Sequence, residues 1–492
     1  MKEKISHPVW ATQHRKPGTE LKYINGRYYL YAVKSQYDPV SKKAKKLSLG
    51  IIGSINKEDG LILSPKAELR KNKNAGLLAI STVFCKEYGF SFWMNQYILK
   101  AIQPNLEKAF PNHYKLILLM VYCRIVHQSP IKNMPFHLSG SCLHELLAAA
   151  IPTEKSISQG LRELGVMRAS MVTYMKAFVQ PEDCILVDAT DIACHSGNIS
   201  LAAKGYNSKM DFELQFTLLY VYSATSHCPY FFRLLPGNIR EVSALKNTLD
   251  EAGITDTTFI ADKGFYSENN INALEDKNLK YIIPLRRNNK QINYELLKDI
   301  DLKPTYFKYL KGFIFYQTYA NENKNNSTIN LYYDGKMKEQ EKQDYLARIQ
   351  TLPEKFTTEK YKSNLPSMGT LSMLHNLENQ TPEEIYLTYK SRAEIEQFFD
   401  CYKNTLSATA TYMQHDDALQ GWVFINHIAM QIVYQIFLEL KTNKLNKKHS
   451  IADFIMHLAN IKRTTINNDK NIVSEINATT KNILKALKIS IT

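Results

Sequence analysis

Seven of the 492 residues are cysteine (85, 123, 142, 184, 194, 228 and 401), and no two of them form a C-x-x-C pair. That absence argues against a zinc ribbon and against a disulfide framework. The opening stretch MKEKISHPVW has no apolar signal core, so a reducing cytoplasm is the expected compartment. The chain also lacks a clean hydrophobic run. Its most lipid-like stretch, Trp422 to Leu440, carries Asn426, His427, Gln431, Gln435 and Glu439 at near-helical spacing, which fits a buried helix with one polar edge and no membrane span. Acidic residues are in deficit: 62 Lys and Arg against 47 Asp and Glu leave a formal charge of +15. Self-repulsion of that size calls for an anionic partner. No basic low-complexity tail carries the excess, which is spread along the chain and suits a long partner, nucleic acid before acidic lipid. What is present is ample core material: 44% hydrophobic and 22% charged residues describe a globular chain, and its length suggests two to four structural units.

Residues 1–70 hold alternating strands (YYLYAV, LSLGII) around the lysine-rich turn DPVSKKAKK, which reads as a β unit with a basic hairpin. Residues 71–180 take on helical spacing, as in YKLILLMVYCRIVH, and read as a helical domain, for which the charge balance makes DNA binding the expected role. Residues 181–287 give three strands, a helix, a strand, a helix and a strand. Residues 288–380 are strand-rich with polar breaks such as NENKNNS, and are too long for a loop, so a β-rich insertion is expected. Residues 381–440 open with Thr381, Pro382 and Glu384, a capping box, and return to helix. Residues 441–492 are expected to add helices around Ile451–Ile461 and Ile472–Leu487. The fold class is therefore α/β, a mixed sheet flanked by helices.

Two acids interrupt apolar strands. Asp188 sits inside CILVDAT and Asp262 ends TTFIAD, and a carboxylate in such a place is costly unless it is paired or metal-bound. Asp191 rivals the first, and Asp262 taken alone is more often a turn former before Lys263-Gly264 than a ligand. The segment YKSRAEIEQFFDCYK adds Tyr389, Arg392, Glu396 and Lys403, which fall within an arc of roughly 60° on an ideal helix. Arg392 and Glu396 alone would be an ordinary i,i+4 surface pair. Together with two strand acids, Glu396 completes a set of three carboxylates able to hold two divalent ions that clamp the attacking and departing oxygens of a phosphodiester. Mg²⁺ suits oxygen ligands, with Mn²⁺ able to substitute. Arg392 and Lys403 would then face phosphate, and Tyr389 would donate a hydrogen bond to it.

These residues resemble the signatures of the DDE transposases of bacterial insertion sequences, in the IS-four superfamily, longer-chain branch. Its Y-x2-R-x3-E-x6-K pattern is matched by Tyr389, Arg392, Glu396 and Lys403, its D-x-T by Asp188-Ala189-Thr190, and its second acid by Asp262-Lys263-Gly264-Phe265-Tyr266. The basic hairpin, the PGN stretch at 236–238 and the terminal helices extend the likeness over nearly the whole chain. The resemblance implies an RNase H-like core with Asp188, Asp262 and Glu396 as catalytic metal ligands, cut-and-paste cleavage of double-stranded transposon ends, often through a hairpin, and joining of the 3′ hydroxyl to target DNA. It also implies two protomers in the synaptic complex, in a nucleoid-associated bacterial cytoplasm. Alternatives are an inactive DNA-binding derivative and a nuclease that does not join strands. One departure stands out: Ala393 occupies a position where members often carry Trp, and the loss of a ring there would loosen the helix against the core.

Further DNA contacts are expected at Arg286 and Arg287, which end a strand, and at Lys42, Lys43, Lys45 and Lys46 in the hairpin. Cys194-His195 and His227-Cys228 make a zinc quartet only across a wide separation, so core cysteines and turn histidines are expected instead. His427 is expected to be buried and hydrogen-bonded.

Overall fold

The computed structural model describes residues 7–38, 43–68, 82–206, 212–237, 244–298, 300, 302, 304–321, 327–467 and 470–491. Lys42, Asn238 of the PGN stretch and residues 322–326 of the NENKNNS break lie outside the described residues. Two compact units are present: residues 1–84 with 465–471, and the remainder.

In the first unit four strands, Thr19–Ile24, Arg27–Asp38, Lys43–Asn56 and Gly60–Leu63, pair in sequence order as an antiparallel sheet. Leu21, Leu30 and Ile55 form its small core with Ala11 of the helical turn Val9–Thr12. Gly53 is required where strands meet, since a Cβ there would stand 2.0 Å from the Ile62 carbonyl oxygen.

The second unit is mixed α/β around one sheet of eleven strands among the described residues. Its centre is Cys184–Cys194, antiparallel to Phe212–Ser223 on one side and parallel to Thr258–Ala261 on the other. Lys280–Leu285 follows in parallel, and Cys228–Pro236 pairs with Phe212–Ser223. Pro284, which has no N–H to give, lies beyond the last parallel pair at Ile260↔Ile282. The order of three strands, helix, strand, helix, strand is as expected, with helices Leu245–Ala252 and Glu268–Glu275; a short strand, Ala203–Tyr206, is additional.

Two expectations change. The strands Tyr306–Tyr309, Gly312–Ala320, Thr328–Tyr333 and Thr370–His375 extend the central sheet through the antiparallel pairing of Thr370–His375 with Lys280–Leu285. They are joined by the helices Gly335–Thr351 and Thr358–Asn364, neither of which buries a residue. Near the chain end, strands Lys462–Ile466 and Lys470–Val473 precede the final helix Ala478–Ala486, so the segment from Ile472 begins as strand.

The helices of residues 89–176 join the same hydrophobic core as the sheet. The link is the 27-residue helix Asp416–Thr442. Length and apolar composition would let this helix cross a membrane, yet 78% of its most apolar window is buried in the protein. Gly421 and Gly165 permit its close crossing with Glu154–Val166: a Cβ at Gly421 would lie 2.2 Å from the Leu161 carbonyl oxygen, and one at Gly165 1.9 Å from that of Asp417. Its polar edge is used internally. Asn426 accepts from Arg124 (2.9 Å), Gln431 accepts from Tyr174 (2.6 Å) and donates to the Pro229 carbonyl (3.3 Å). His427, fully buried, meets the Tyr220 hydroxyl at 3.3 Å, and burial pushes its imidazole down to about 3.

Candidate active site

Register brings the first two acids together. Val187 pairs with Ala261 in the parallel ladder, so Asp188 and Asp262 are the next residues on adjacent strands and point to the same face. Asp191 is three residues further and faces the other way, where it accepts a hydrogen bond from Thr217 (2.9 Å). Strand parity thus separates Asp188, which faces the same side as Asp262, from Asp191. Asp262 also begins the 3₁₀ turn Lys263–Phe265, its carbonyl accepting from Phe265 N–H (2.9 Å), so it is both turn former and site acid.

The third acid arrives on a helix with a broken rhythm. Pro382–Lys390 is capped by Thr381 and Glu384 in the expected box. It gives way to a tight turn at Ser391 and Arg392, with Arg392 N–H bonding Tyr389 C=O (3.0 Å) and Ile395 N–H bonding Arg392 C=O (3.1 Å). Three-residue hydrogen bonds eclipse positions i and i+3, which places Arg392 over Tyr389. The helix Ala393–Asp400 follows and widens into the π-helical turn Cys401–Thr405, which contains Lys403. The four signature residues therefore do not share one ideal helical stripe: the chain overwinds before Glu396 and underwinds after it. Ile395, Phe398 and Phe399 anchor this helix in the core, Phe398 against Tyr220 at 4.5 Å between ring centroids. Ala393 is exposed, so the absent ring takes nothing from that packing.

All three carboxylates meet at one guanidinium. Arg392 lies 3.6 Å from Asp188, 3.4 Å from Asp262 and 3.2 Å from Glu396. Burial raises the Asp188 carboxyl above its usual range; the Ala189 N–H and Arg392 pull it down and Asp262 adds to the rise. Burial works against the charge on Arg392 too, but Asp262 and Asp188 outweigh it and hold the guanidinium above its ordinary value. The two upward shifts agree physically: desolvation costs the enclosed carboxylate more than its single cation restores. Burial likewise raises the Tyr389 phenol, moderated by Arg392.

Among the described residues no group of three or more His, Cys, Asp or Glu stands at metal-ligating spacing; the acids converge on Arg392. As a donor set they nonetheless fit a hard divalent cation, being three carboxylates gathered around a positive charge. Beside them opens a cleft of about 670 Å³ whose walls include Asp262, Lys263, Arg286, Tyr332, Tyr386, Tyr389, Lys390 and Arg392. Lys263, Lys390 and the two wall tyrosines were not singled out by sequence, although Lys263 lies within the second-acid motif and Lys390 adjoins Tyr389.

The remaining expected residues scatter. Arg286 is exposed at the cleft. Arg287 makes a two-pronged ion pair with Glu341 (2.9 and 2.8 Å) and bonds the Thr370 carbonyl, so it ties the added strands and their helix to the sheet. Lys43, Lys45 and Lys46 lie on the exposed strand Lys43–Asn56 of the first unit, with Lys46 3.3 Å from Glu20. Cys194 is buried with its thiol toward the Ser196 carbonyl, and His227 pairs with Glu394 at 2.7 Å.

Residues 180–432 match the family model of the transposase DDE domain. No curated protein matches the chain. Among solved structures it is similar to a cryo-EM structure of the piggyBac transposase synaptic complex with hairpin DNA, at 12% identity and a TM-score of 0.39, over 70% of this chain and 69% of that one.

Proposed function

Because the chain belongs to the transposase DDE domain family, whose model spans residues 180–432, we propose that it is a cut-and-paste DNA transposase with Asp188, Asp262 and Glu396 as its catalytic acids. One observation carries the assignment: carboxylates from two adjacent strands and a distant helix converge on Arg392. The strand order around Cys184–Cys194, three antiparallel strands followed by two parallel ones, supports an RNase H-like core.

Members of the family generally use divalent metal ions. Here the three acids would hold Mg²⁺, two ions in the full reading, with Mn²⁺ able to substitute. Bound there, the ions would polarise the phosphoryl oxygen and ease deprotonation of the attacking water or 3′ hydroxyl. The chain's own residues do the rest. Arg392, which lies among the three acids, would offer its planar fork to a phosphate oxygen pair. Tyr389 orients that phosphate beneath it. Lys263 and Arg286 line the cleft by which DNA reaches the acids, and Lys403 holds the strand further along the helix. Two protomers pair two element ends in the bacterial cytoplasm, on nucleoid DNA.

The test is cleavage of a linear donor carrying the inverted repeats that flank the coding region, with purified protein and Mg²⁺. The wild type should nick at the repeat ends and join the 3′ hydroxyl to a target duplex. Full-rate cleavage by folded Asp188→Asn or Glu396→Gln protein would remove these residues from the chemistry. Cleavage without joining would make the chain a nuclease.

A further inference from the structure

The first unit carries a feature that its small core does not need. Thr19–Ile24 pairs with Arg27–Asp38 only as far as Ala32, and Gly60–Leu63 pairs with Lys43–Asn56 only between Gly53 and Asn56. Beyond those rows, apart from a bond from the Val33 N–H to the Gly18 carbonyl (2.8 Å), the two long strands continue alone, from Val33↔Ser48 to Asp38↔Lys43. Six paired rows at about 3.3 Å per residue extend the ribbon roughly 17 Å. Residues 34–37 and 43–50 are exposed. A two-stranded ribbon in water is marginal by itself, so an arm of this length implies a surface that receives it.

Its side chains state what kind. Opposed residues share a face, so Lys34, Gln36, Lys43, Lys45 and Leu47 stand on one side, with Lys43 in register with Asp38 at the last pair, while Ser35, Tyr37, Ala44 and Lys46 stand on the other. Lys46 leans back to Glu20 at 3.3 Å. Two register shifts, at Leu30/Tyr31 and Ala32/Val33, fall where the arm leaves the sheet and reorient it. We propose that this arm docks in the major groove of duplex DNA, its Lys34, Lys43 and Lys45 face gripping phosphates on the groove walls. This rests on the reading of the chain as a DNA transposase and assigns the arm a share of its DNA binding separate from the acid cluster. The major groove, about 12 Å wide, admits a two-stranded ribbon, and strands about 4.8 Å apart with their side chains fill it. The competing use of lysines on exposed strands is to block edge-to-edge aggregation, which asks for charge but no particular face.

Binding of the full chain to a labelled random-sequence duplex of about 30 base pairs, without divalent cation so that nothing is cut, separates these roles. Each phosphate contact contributes roughly 0.9 to the slope of log affinity against log salt. The triple variant Lys34→Gln/Lys43→Gln/Lys45→Gln should lower that slope by about 3 and weaken binding about tenfold or more at moderate salt, whereas Lys46→Gln on the opposite face should change it by less than one. Methyl green, which fills the major groove, should bring the wild type down to the affinity of the triple variant, and netropsin in the minor groove should not. An unchanged slope in the triple variant would overturn the proposal and leave edge protection as the role of these lysines, with the transposase reading intact. A reduced slope with no response to methyl green would overturn groove docking. Failure of the wild type to bind duplex DNA at all would overturn both this proposal and the function it rests on.

Discussion

In the proposed reading the acid cluster and the basic arm both meet a polyanion, and they are built in opposite ways. The cluster is enclosed on one side, with Asp188 and Arg392 each only 20% exposed and Glu396 open to solvent, and its geometry depends on a one-residue register and a single guanidinium. The arm is exposed along residues 34–37 and 43–48, and its geometry depends on which of two faces carries the lysines. Chemistry at a phosphorus atom needs positions fixed to fractions of an ångström, so burial is accepted there in spite of its electrostatic cost. Affinity for a phosphate backbone needs only charge at the right spacing, and solvent exposure costs it little.

The largest predicted effect lies in the cluster. Removing one acid, as in Asp188→Asn, should withdraw about 4 kcal/mol of transition-state stabilisation, or about 10³-fold in single-turnover cleavage. The same change should leave the slope of DNA binding against salt as it was. A matched loss of binding would erase the contrast between the two regions. In the arm, the triple lysine variant should raise the half-saturating DNA concentration about tenfold at moderate salt and leave the saturated rate within about twofold of wild type. A collapse of the saturated rate would mean that the arm takes part in the chemistry.

Arg392→Gln sharpens the comparison from the other side. With its guanidinium gone, the three carboxylates repel one another, and the fold should lose about 1–2 kcal/mol in metal-free buffer, a discounted figure because Glu396 is 60% exposed. Mg²⁺ should then raise the melting temperature more in this variant than in wild type, as differential scanning fluorimetry would show. An equal response in both would mean that Arg392 does not compete with cations. A smaller effect follows from Asp188 alone. Its carboxyl is raised in the folded chain, so its contribution to stability is greatest below the unfolded carboxylate value and is lost as pH rises through the folded one. Asp188→Asn should cancel that loss and melt about a degree or two higher near neutral pH while inactive. A lower melting point would contradict the assigned shift.

How much of this was legible in the sequence follows from where each signal resides. The capping box at Thr381, the strand holding Asp188, the strand leading into Asp262, and the buried polar edge of Asp416–Thr442 are local patterns, and the structure has them. The helix Gly335–Thr351 buries no residue, so its sequence had no apolar period to announce it. The strand Lys462–Ile466 is half-buried all along and lacks clear alternation. Nothing punctuates the turn at Ser391 and Arg392, since no Pro or Gly marks it, and so the helix read as continuous. The meeting of three acids at Arg392 is tertiary: sequence could say that each carboxylate needs a cation, but not that one side chain would serve all three. Arg287 was read for its charge, and its partner Glu341 sits on the very helix that gave no signal.

The central claim, that Asp188, Asp262 and Glu396 act as one cation site, is tested most directly by a crystal structure of the protein with cleaved transposon-end DNA and Mn²⁺. The account predicts an anomalous peak touching carboxylate oxygens of all three residues, with Arg392 turned from the acids to a DNA phosphate. Arg392 still lying between the three carboxylates with DNA in place, and Mn²⁺ bound elsewhere or not at all, would contradict it.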